Sequence, residues 1–241
     1  MYLIFYLRDN YLCDMNISPI AYYHTKVQTK FGVPRQSGLV PELHGVIVFE
    51  PEYRNADALR GIEGFDYLWL IWEFSLNNKV EGEWSPLVRP PLLGGNSHMG
   101  VFATRSPFRP NALGLSSVKL SGVEKTDNGL VLLVSGADLA DGTPIYDIKP
   151  YVEYSDSHTG VRSGFVDNNS WQKLDVVFPE NKRTMFSGDD FVALYKILEL
   201  DPRPQYHNDP NRVYGLPFGG YDVRFTVDAH VLTVVDVVCM K

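Results

Sequence analysis

The stretch LSSVKLSGVEKTDNGLVLLVSGADL, residues 115–139, places two apolar-rich runs on either side of Asp127-Asn128-Gly129. Asn and Gly accept the positive φ angles of a tight turn, so this arrangement is a strong hairpin signal. We therefore predict a β-hairpin with strands over residues 115–124 and 130–139. The 20 glycines and 16 prolines suit many turns and favour a mainly β fold.

The segments before and after the hairpin also favour a mainly β fold. FDYLWLIWEFS, residues 65–75, is nearly all apolar, which predicts a central strand buried on both faces. Residues 55–62 predict a short helix that begins after Asn55 as its cap. Further strands are predicted over residues 17–22, 44–50 and 101–105, and residues 140–152 predict a turn followed by a strand.

The last third of the chain has a different pattern. Residues 156–182 are polar and weakly patterned, as in a linker. Residues 190–200 have the apolar spacing of an amphipathic helix, and residues 221–227 and 230–238 predict a second hairpin. We expect an N-terminal extension, a β-rich domain, a linker or excursion and a small α+β domain, over residues 1–14, 15–155, 156–182 and 183–241.

The composition indicates a folded protein of a reducing compartment. Of the 241 residues, 44% are apolar, which is enough for a sizeable core. There are two cysteines, Cys13 and Cys239, and the opening residues lack the basic region and cleavage site of a signal peptide. No apolar run approaches the roughly 18 residues of a membrane span. We therefore expect a cytoplasmic protein without a membrane segment.

The charge is unevenly distributed. The net charge of −7 argues against indiscriminate binding of nucleic acid. However, residues 15–41 and 84–123 contain no Asp or Glu and together carry seven Lys and Arg side chains. If the two segments meet in space, the protein has one cationic face on an acidic body. The alternative is that both are solvated loops that happen to lack acids.

Three polar loops adjoin predicted strands, at residues 33–38, 103–111 and 140–150. In a barrel or curled sheet, strand ends that are distant in sequence converge on one rim, where loop residues build sites. Arginine forks match a carboxylate or a phosphate. The alternative is a set of rigid turns with salt-bridged arginines. The sequence has no Rossmann glycine pattern, no phosphate-binding lysine loop and no zinc-ligand spacing, so we expect no metal.

Four motifs carry a family resemblance: VPRQSG (33–38), HMGVFATRSPFRPNALGLSSVKL (98–120), DLADGTPIYDIKPY (138–151) and DPRPQY (201–206). Their order and spacing closely resemble the TsaA/TrmO (YaeB-like) family of S-adenosylmethionine-dependent tRNA (adenine-N6)-methyltransferases, from about Ile17 to the C-terminus. The resemblance implies a non-Rossmann β-barrel domain, a small C-terminal domain and a homodimer. It also implies methylation of N6 of N6-threonylcarbamoyladenosine at position 37, next to the anticodon of a threonine tRNA.

The resemblance also implies cofactor-binding positions. They correspond here to Pro34, Arg35, Gln36, Ser75, Leu76, Arg105, Leu115, Asp141, Gly142, Thr143 and Pro144. This chain has Ser75 where relatives often have histidine. Arg105 is the better candidate to contact the cofactor, whereas Arg109 and Asn111 either shape the loop or face RNA phosphate.

Methylation of a ureido-like nitrogen is helped by a base that removes its proton. The nearest polar candidates in sequence are Asp141, Tyr146 and Asp147. Phe102, Phe108 and Tyr146 are candidates to stack on a base splayed out of the anticodon loop. The RNA-binding candidates are Lys26, Lys30, Arg109, Arg203 and Tyr206. Two rival functions remain open: a non-catalytic tRNA- or nucleotide-binding module, and a methyltransferase for a small molecule.

Overall fold

The computed structural model describes residues 16–77, 84–94, 97–204 and 209–240. The predicted extension over residues 1–14 therefore lies outside the described residues. The strands are β1 Ala21–Thr25, β2 His44–Phe49, β3 Tyr67–Glu73, β4 Leu87–Val88, β5 Met99–Gly100, β6 Leu113–Thr126, β7 Gly129–Ser135, β8 Thr143–Pro150, β9 Asp175–Val177, β10 Tyr214–Phe218, β11 Tyr221–Asp228 and β12 Val231–Cys239. The α-helices are α1 Glu153–Asp156, α2 Glu180–Arg183 and α3 Gly188–Glu199.

Six strands close into a barrel in the order β1-β2-β7-β6-β3-β8. All of its strand pairs are antiparallel. The mainly β prediction and the hairpin prediction are both confirmed, since β6 and β7 pair from Lys119↔Ser135 to the turn after Thr126. The predicted strand over residues 44–50 is confirmed as β2.

The prediction that residues 65–75 are buried on both faces is wrong. Along β3, Leu68, Leu70 and Trp72 are buried, whereas the side chains between them are only partly buried and Tyr67 is exposed. The physical reason is barrel closure, because a strand in a closed barrel places alternate side chains in the core and on the outer surface.

Three other local predictions differ from the structure. Residues 101–105 do not form a strand, since Val101–Ala103 is a 3₁₀ turn after the short β5. The first strand begins at Ala21 rather than at residue 17, consistent with the lack of an N–H on Pro19. Asn55 does accept a hydrogen bond from the Asp57 amide, at 3.0 Å, but the segment forms 3₁₀ turns rather than an α-helix.

Two glycines permit close packing inside the barrel. A Cβ atom on Gly114 would lie 2.3 Å from the Trp72 ring, and one on Gly45 would lie 2.2 Å from the Tyr23 ring. Real Cβ atoms do not approach other atoms so closely, so each large ring depends on the glycine opposite it. These contacts place Trp72 and Tyr23 in the core near one end of the barrel.

The C-terminal part is a four-stranded sheet in the order β10-β11-β12-β9, packed against α3. The helix and hairpin predictions are confirmed, and the Ser187 hydroxyl accepts from the Asp190 amide at the start of α3. β9 lies within the range assigned above to a linker, yet it pairs in parallel with β12.

The loop between β1 and β2 links the two parts. Val27, Val40 and Leu43 of this loop are buried in the same core as α3 and the C-terminal sheet. Ion pairs join Lys26 to Asp190 and Lys196 to Glu42. The C-terminal part is therefore packed against the end of the barrel that carries this loop.

Candidate functional site

Three loops lie at the same end of the barrel. The pairing register puts the end of β1, the end of β3 and the end of β7 next to the starts of β2, β6 and β8. The connecting loops cover residues 26–43, 74–112 and 136–142. The polar loops at residues 33–38 and 103–111 are thus at one rim, as predicted, together with the start of the third, residues 140–142. The rest of the third predicted loop is wrong, because Thr143–Pro150 forms β8 and runs to the opposite end of the barrel.

Hydrogen bonds join these loops to one another. The Gly38 amide donates to the Gly136 carbonyl at 2.8 Å, which ties the first loop to the β7–β8 loop. The Arg105 guanidinium donates to the Gln36 side-chain oxygen, which ties the first loop to the β3–β6 loop. The rim is therefore a single structure built from three distant segments.

A wide cleft of about 2270 Å³ opens beside this rim. Arg35, Gln36 and Leu39 line it on one side, described residues between 77 and 110 line another, and Phe165, Val166 and Trp171 of the linker complete it. Pockets for small ligands usually measure roughly 300–1,000 Å³, so the cleft has room for more than a cofactor. The two acid-free segments thus meet in part, along this cleft.

The two arginines that the resemblance assigns to the cofactor have different surroundings. Arg105 is exposed to the cleft. Arg35 is partly buried and donates to the carbonyl oxygens of Leu200 and Asp201, the latter at 2.9 Å. Its guanidinium also lies 3.7 Å from the centre of the Trp171 ring. Burial lowers the pKa of Arg35, against the opposing charge of Asp201. Arg35 therefore joins the rim to the C-terminal part.

Arg109 shapes the loop that carries Arg105. Its guanidinium donates to the carbonyl oxygens of Thr104 at 3.2 Å and Ser106 at 3.3 Å. Of the two roles left open for Arg109, the structure supports the first, because a donor that is engaged with the loop backbone fixes the loop conformation.

The DGTP segment forms the turn into β8. Gly142 has φ 76°, which is the left-handed region that favours glycine. The amides of Asp141 and Gly142 donate to the carbonyl oxygens of Val27 and Tyr23, both at 2.8 Å. The Thr143 hydroxyl donates to the Ala140 carbonyl at 2.8 Å. The turn is therefore held against β1, with Pro144 buried at its end.

The Asp141 carboxylate is the polar group of this turn that remains accessible. It accepts from the Thr25 amide at 3.0 Å and lies 3.2 Å from Nδ1 of His24. Its side chain is 41% exposed, so a ligand at the rim can reach it.

Leu115, Ser75 and Leu76 lie at the same end of the barrel. Leu115 pairs with Ile71 across β3 and β6, on the face opposite the core, and is exposed. Ser75 and Leu76 follow Phe74 after the end of β3, and both are exposed.

Two of the candidate proton acceptors, Tyr146 and Asp147, have partners of their own. Tyr146 donates to the Glu73 carboxylate at 2.6 Å, and burial together with Glu73 raises the pKa of Tyr146 to about 12. Near neutral pH this phenol is a donor rather than a proton acceptor. The Asp147 carboxylate accepts from the Ile148 amide at 2.9 Å and pairs with Lys149 at 2.9 Å.

The sequence reasoning missed a polar chain under the rim. Trp72 donates from Nε1 to the Ser116 hydroxyl at 2.9 Å, and this hydroxyl donates to the Asp138 carboxylate at 2.5 Å. Burial raises the pKa of Asp138, and the hydrogen bond from Ser116 partly offsets this rise. The signal was present in the sequence as an aspartate within the apolar run VSGADLA.

The RNA-binding candidates are dispersed. Lys26 pairs with Asp190, and Lys30 lies over the Phe31 ring, on the loop that packs against the C-terminal part. Arg203 donates to both oxygens of the Asp201 carboxylate, at 3.0 and 3.1 Å, and is largely buried. Tyr206 lies outside the described residues. Of the four described candidates, Lys26 and Lys30 share the β1–β2 loop, whereas Arg109 lies in the β3–β6 loop and Arg203 follows α3.

Exposed aromatic residues line the cleft instead. Trp84 and Phe102 stack with ring centroids 6.0 Å apart, and Phe102 is 73% exposed. Phe108 is also exposed. Arg89 donates to His98 at 3.0 Å beside them. We call Trp84, Phe102 and Phe108 with Arg89 and Arg105 the aromatic wall. It combines cationic and aromatic side chains, which is typical of surfaces that bind single-stranded nucleic acid.

In the described part of the chain, no cluster of three or more His, Cys, Asp or Glu is arranged to hold a metal ion. None of the helices described is both long enough and apolar enough to span a bilayer.

Comparison with known families agrees with this architecture. The tRNA-methyltransferase O N-terminal domain matches residues 22–157, which include all of the barrel strands except Ala21, and the TrmO C-terminal domain matches residues 174–239. The chain belongs to the TrmO family. The family resemblance stated from the four sequence motifs is thereby confirmed.

Individual TrmO relatives match over most of their length. The tRNA (adenine(37)-N6)-methyltransferase of Escherichia coli K12 is 36% identical over 224 residues, which cover 90% of this chain and 94% of that protein. A Pseudomonas aeruginosa protein that carries the name of an S-adenosylmethionine-dependent methyltransferase, RcsF, is 37% identical over 218 residues, covering 87% of this chain and 91% of that protein. The crystal structure of TrmO from P. aeruginosa superimposes with a TM-score of 0.73 at 30% identity, covering 95% of this chain and 98% of that one.

Proposed function

We propose that the protein transfers a methyl group from S-adenosylmethionine to N6 of N6-threonylcarbamoyladenosine at position 37 of a tRNA, the threonine tRNA in particular. The observation that carries this proposal is the convergence of the Arg105–Gln36 pair and the Asp141 turn at one barrel rim, beside a cleft with an aromatic wall. The names of the relatives from E. coli and P. aeruginosa support the same activity.

The groups at the rim fit the cofactor. An amino-acid carboxylate matches the fork of Arg105, which Gln36 orients from the neighbouring loop. The partly exposed Asp141 carboxylate suits ribose hydroxyls or an ammonium group. Leu39 adds apolar surface next to Arg35 and Gln36. On this basis we propose the cofactor positions implied by the resemblance, with Arg35 acting through the loop that it anchors.

S-adenosylmethionine supplies an activated methyl group on a sulfonium sulfur. The chain itself has to align the acceptor nitrogen with that methyl group and to exclude water, which can contribute up to roughly 7–11 kcal/mol in ideal cases. The proton of the acceptor N6 leaves to a base. Asp141 is the candidate whose carboxylate is accessible at the rim, whereas Tyr146 is protonated near neutral pH.

The aromatic wall is proposed to hold the anticodon loop. A base that is splayed out of an RNA loop can stack on an exposed ring, and nearby arginines match the phosphates. Trp84, Phe102 and Phe108 offer such rings, and Arg89 and Arg105 lie in the same acid-free segment. Lys26, Lys30, Arg109, Arg203 and Tyr206 remain candidates for weaker contacts outside the wall.

The proposal includes a homodimer in the cytoplasm, where tRNA is available. Support for the dimer comes from the outer side of the rim, where Leu115 and Leu76 expose apolar surface near cofactor positions. Burying such surface against a second copy is favourable.

A methylation assay tests the function directly. The purified protein is incubated with isotope-labelled S-adenosylmethionine and threonine tRNA that carries or lacks the threonylcarbamoyl group, and position 37 is analysed by mass spectrometry. We expect one added methyl group on the modified tRNA alone. Cofactor binding without tRNA methylation would favour the small-molecule methyltransferase, and tRNA binding without cofactor affinity would favour the non-catalytic module.

The double substitution Trp84→Ala/Phe102→Ala tests the tRNA side. Base–aromatic stacking is worth about 1–3 kcal/mol per base, so we expect tRNA affinity to fall about tenfold or more. Affinity for S-adenosylmethionine should stay at the wild-type value. Filter binding at a fixed salt concentration and calorimetry measure the two affinities.

Tyr154→Ala is the matched control, because this ring is 93% exposed in α1 and is not part of the cleft lining. Unchanged tRNA affinity in the double variant would remove the aromatic wall from the RNA site. A change from dimer to monomer in that variant would assign the wall to a contact between copies instead.

A further inference from the structure

The side chains of His24 and Asp141 meet at the rim, among the cofactor positions proposed above. His24 lies near the end of β1, and Asp141 belongs to the turn into β8. Nδ1 of the His24 ring lies 3.2 Å from Oδ1 of the Asp141 carboxylate, across 117 residues of sequence. Because β1 pairs with β8, with Tyr23 opposite Thr143, the closure of the barrel brings the two side chains together.

The two oxygens of the Asp141 carboxylate have different surroundings. Oδ1 accepts from the Thr25 amide at 3.0 Å, so a backbone N–H and an imidazole nitrogen engage the same oxygen. Among the described residues, no donor reaches Oδ2 of this carboxylate. One oxygen is therefore tied to β1, and the other is available to a ligand.

The contact with His24 restricts the orientation of this carboxylate. The main chain of Asp141 is held separately, because its amide donates to the Val27 carbonyl at 2.8 Å. The Thr25 amide restrains Oδ1 through a single hydrogen bond, and the His24 ring adds a second contact from the same strand. A carboxylate is planar, so fixing Oδ1 relative to the backbone also sets the direction of Oδ2.

We propose that His24 is a positioning residue that holds the Asp141 carboxylate in the orientation that binds the cofactor. The inference rests on the cofactor site proposed above, in which Asp141 is one of the binding positions. In this arrangement Nδ1 of His24 carries a hydrogen and donates it to Oδ1. A carboxylate that is oriented before its ligand arrives loses less freedom on binding, which improves affinity.

An exposed ion pair with no role in binding makes a different prediction. The side chains of His24 and Asp141 are 50% and 41% exposed, and exposed pairs contribute little to folding. We therefore expect the unfolding temperature to stay close to that of wild type when His24 is replaced, whichever role it has. The affinity for S-adenosylmethionine distinguishes the two roles, because only the positioning role lowers it.

Three substitutions separate the Nδ1 donor from the rest of the ring. His24→Ala removes every donor. His24→Asn carries a side-chain N–H at the same number of bonds from Cβ as Nδ1, so it can still donate to the Asp141 carboxylate. His24→Gln carries its N–H one bond further out, at the place of Nε2. Only the asparagine variant therefore keeps the donor that the positioning role requires.

Calorimetric titration of S-adenosylmethionine measures the affinity of each variant. We expect about fivefold weaker binding for His24→Ala, from the loss of one hydrogen bond to a charged group at a solvent-exposed site. His24→Gln should resemble His24→Ala, and His24→Asn should stay within about twofold of wild type. His230→Ala, at an exposed ring in the turn between β11 and β12 of the C-terminal sheet, is the control and should leave affinity unchanged.

NMR spectra of the ring nitrogens test the contact without cofactor. A neutral imidazole carries its hydrogen on one nitrogen only. At alkaline pH we expect this hydrogen on Nδ1 of His24 in the wild-type protein, and we expect Asp141→Ala to lose that preference. A wild-type ring with its hydrogen on Nε2 would overturn the inference, because Nδ1 could then donate nothing to the carboxylate.

The binding and activity data decide the rest. Wild-type affinity in His24→Ala would overturn the positioning role, and so would an affinity of His24→Asn as weak as that of His24→Ala. Unchanged affinity with a lower methylation rate in all three variants would overturn it as well and assign His24 to proton transfer. If the wild-type protein binds no S-adenosylmethionine, the proposed function fails, and the ring-nitrogen spectra still decide whether His24 holds Asp141.

Discussion

Replacing Arg105 with alanine is expected to weaken binding of S-adenosylmethionine between about 10-fold and 100-fold, because hydrogen bonds to charged groups are worth roughly 1.5–3 kcal/mol. Arg105 is exposed to the cleft, and its guanidinium contacts the Gln36 side chain. Truncation removes the fork that matches a carboxylate but leaves no cavity. We therefore expect an unfolding temperature close to that of wild type. Calorimetry and thermal unfolding measure the two quantities.

Two further variants show whether the effect of Arg105→Ala comes from the loss of this particular guanidinium. Arg105→Lys keeps the charge without the fork, so its affinity should fall between those of wild type and Arg105→Ala. Arg60→Ala removes an exposed arginine that pairs with Asp57 in the β2–β3 loop, at the other end of the barrel, and should leave affinity unchanged. Wild-type affinity in Arg105→Ala would show that the cofactor does not bind to this arginine.

Those parts of the fold that rest on short-range patterns were predictable from the sequence. The β6–β7 hairpin follows from one turn between two apolar runs, and α3 follows from apolar spacing and the Ser187 cap. The burial of β3 did not follow, because its outer face depends on the closure of six strands and not on its own residues. The residues of one strand do not show whether strands that are distant in sequence will close into a barrel.

The candidate site, too, could be predicted only in part from the sequence. The three polar loops were identified because turn residues and arginines are visible in sequence, and the meeting of residues 33–38, 103–111 and 140–142 at one rim follows from barrel geometry. The partner of each side chain was not visible. Arg35 meets Leu200, 165 residues later, and Asp138 meets Ser116 across two strands. Such pairs are decided by how the loops and the C-terminal part pack together.

Replacing Arg35 with alanine is expected to lower the free energy of unfolding by about 3 kcal/mol, from the loss of hydrogen bonds by a charged donor and of a cation–π contact. The guanidinium joins the first rim loop to the Leu200 and Asp201 carbonyls and lies against Trp171. Its removal leaves those carbonyls at the end of α3 without this donor. For a chain of this size the loss corresponds to roughly 6–12 °C in unfolding temperature.

Arg35 and Arg105 lie in the same cleft, so the pair of variants separates two ways in which an arginine can support one site. Arg35→Ala should lower the free energy of unfolding. It should also weaken cofactor binding, because the loop that carries Gln36 loses its anchor. Arg105→Ala should lose affinity alone. Arg224→Ala, a surface arginine of β11 paired with Asp222, is the control and should change stability by no more than about 0.5 kcal/mol. If Arg35→Ala keeps wild-type stability and still loses affinity, the guanidinium binds the cofactor directly, as the family resemblance implies, and the contact with the C-terminal part is incidental.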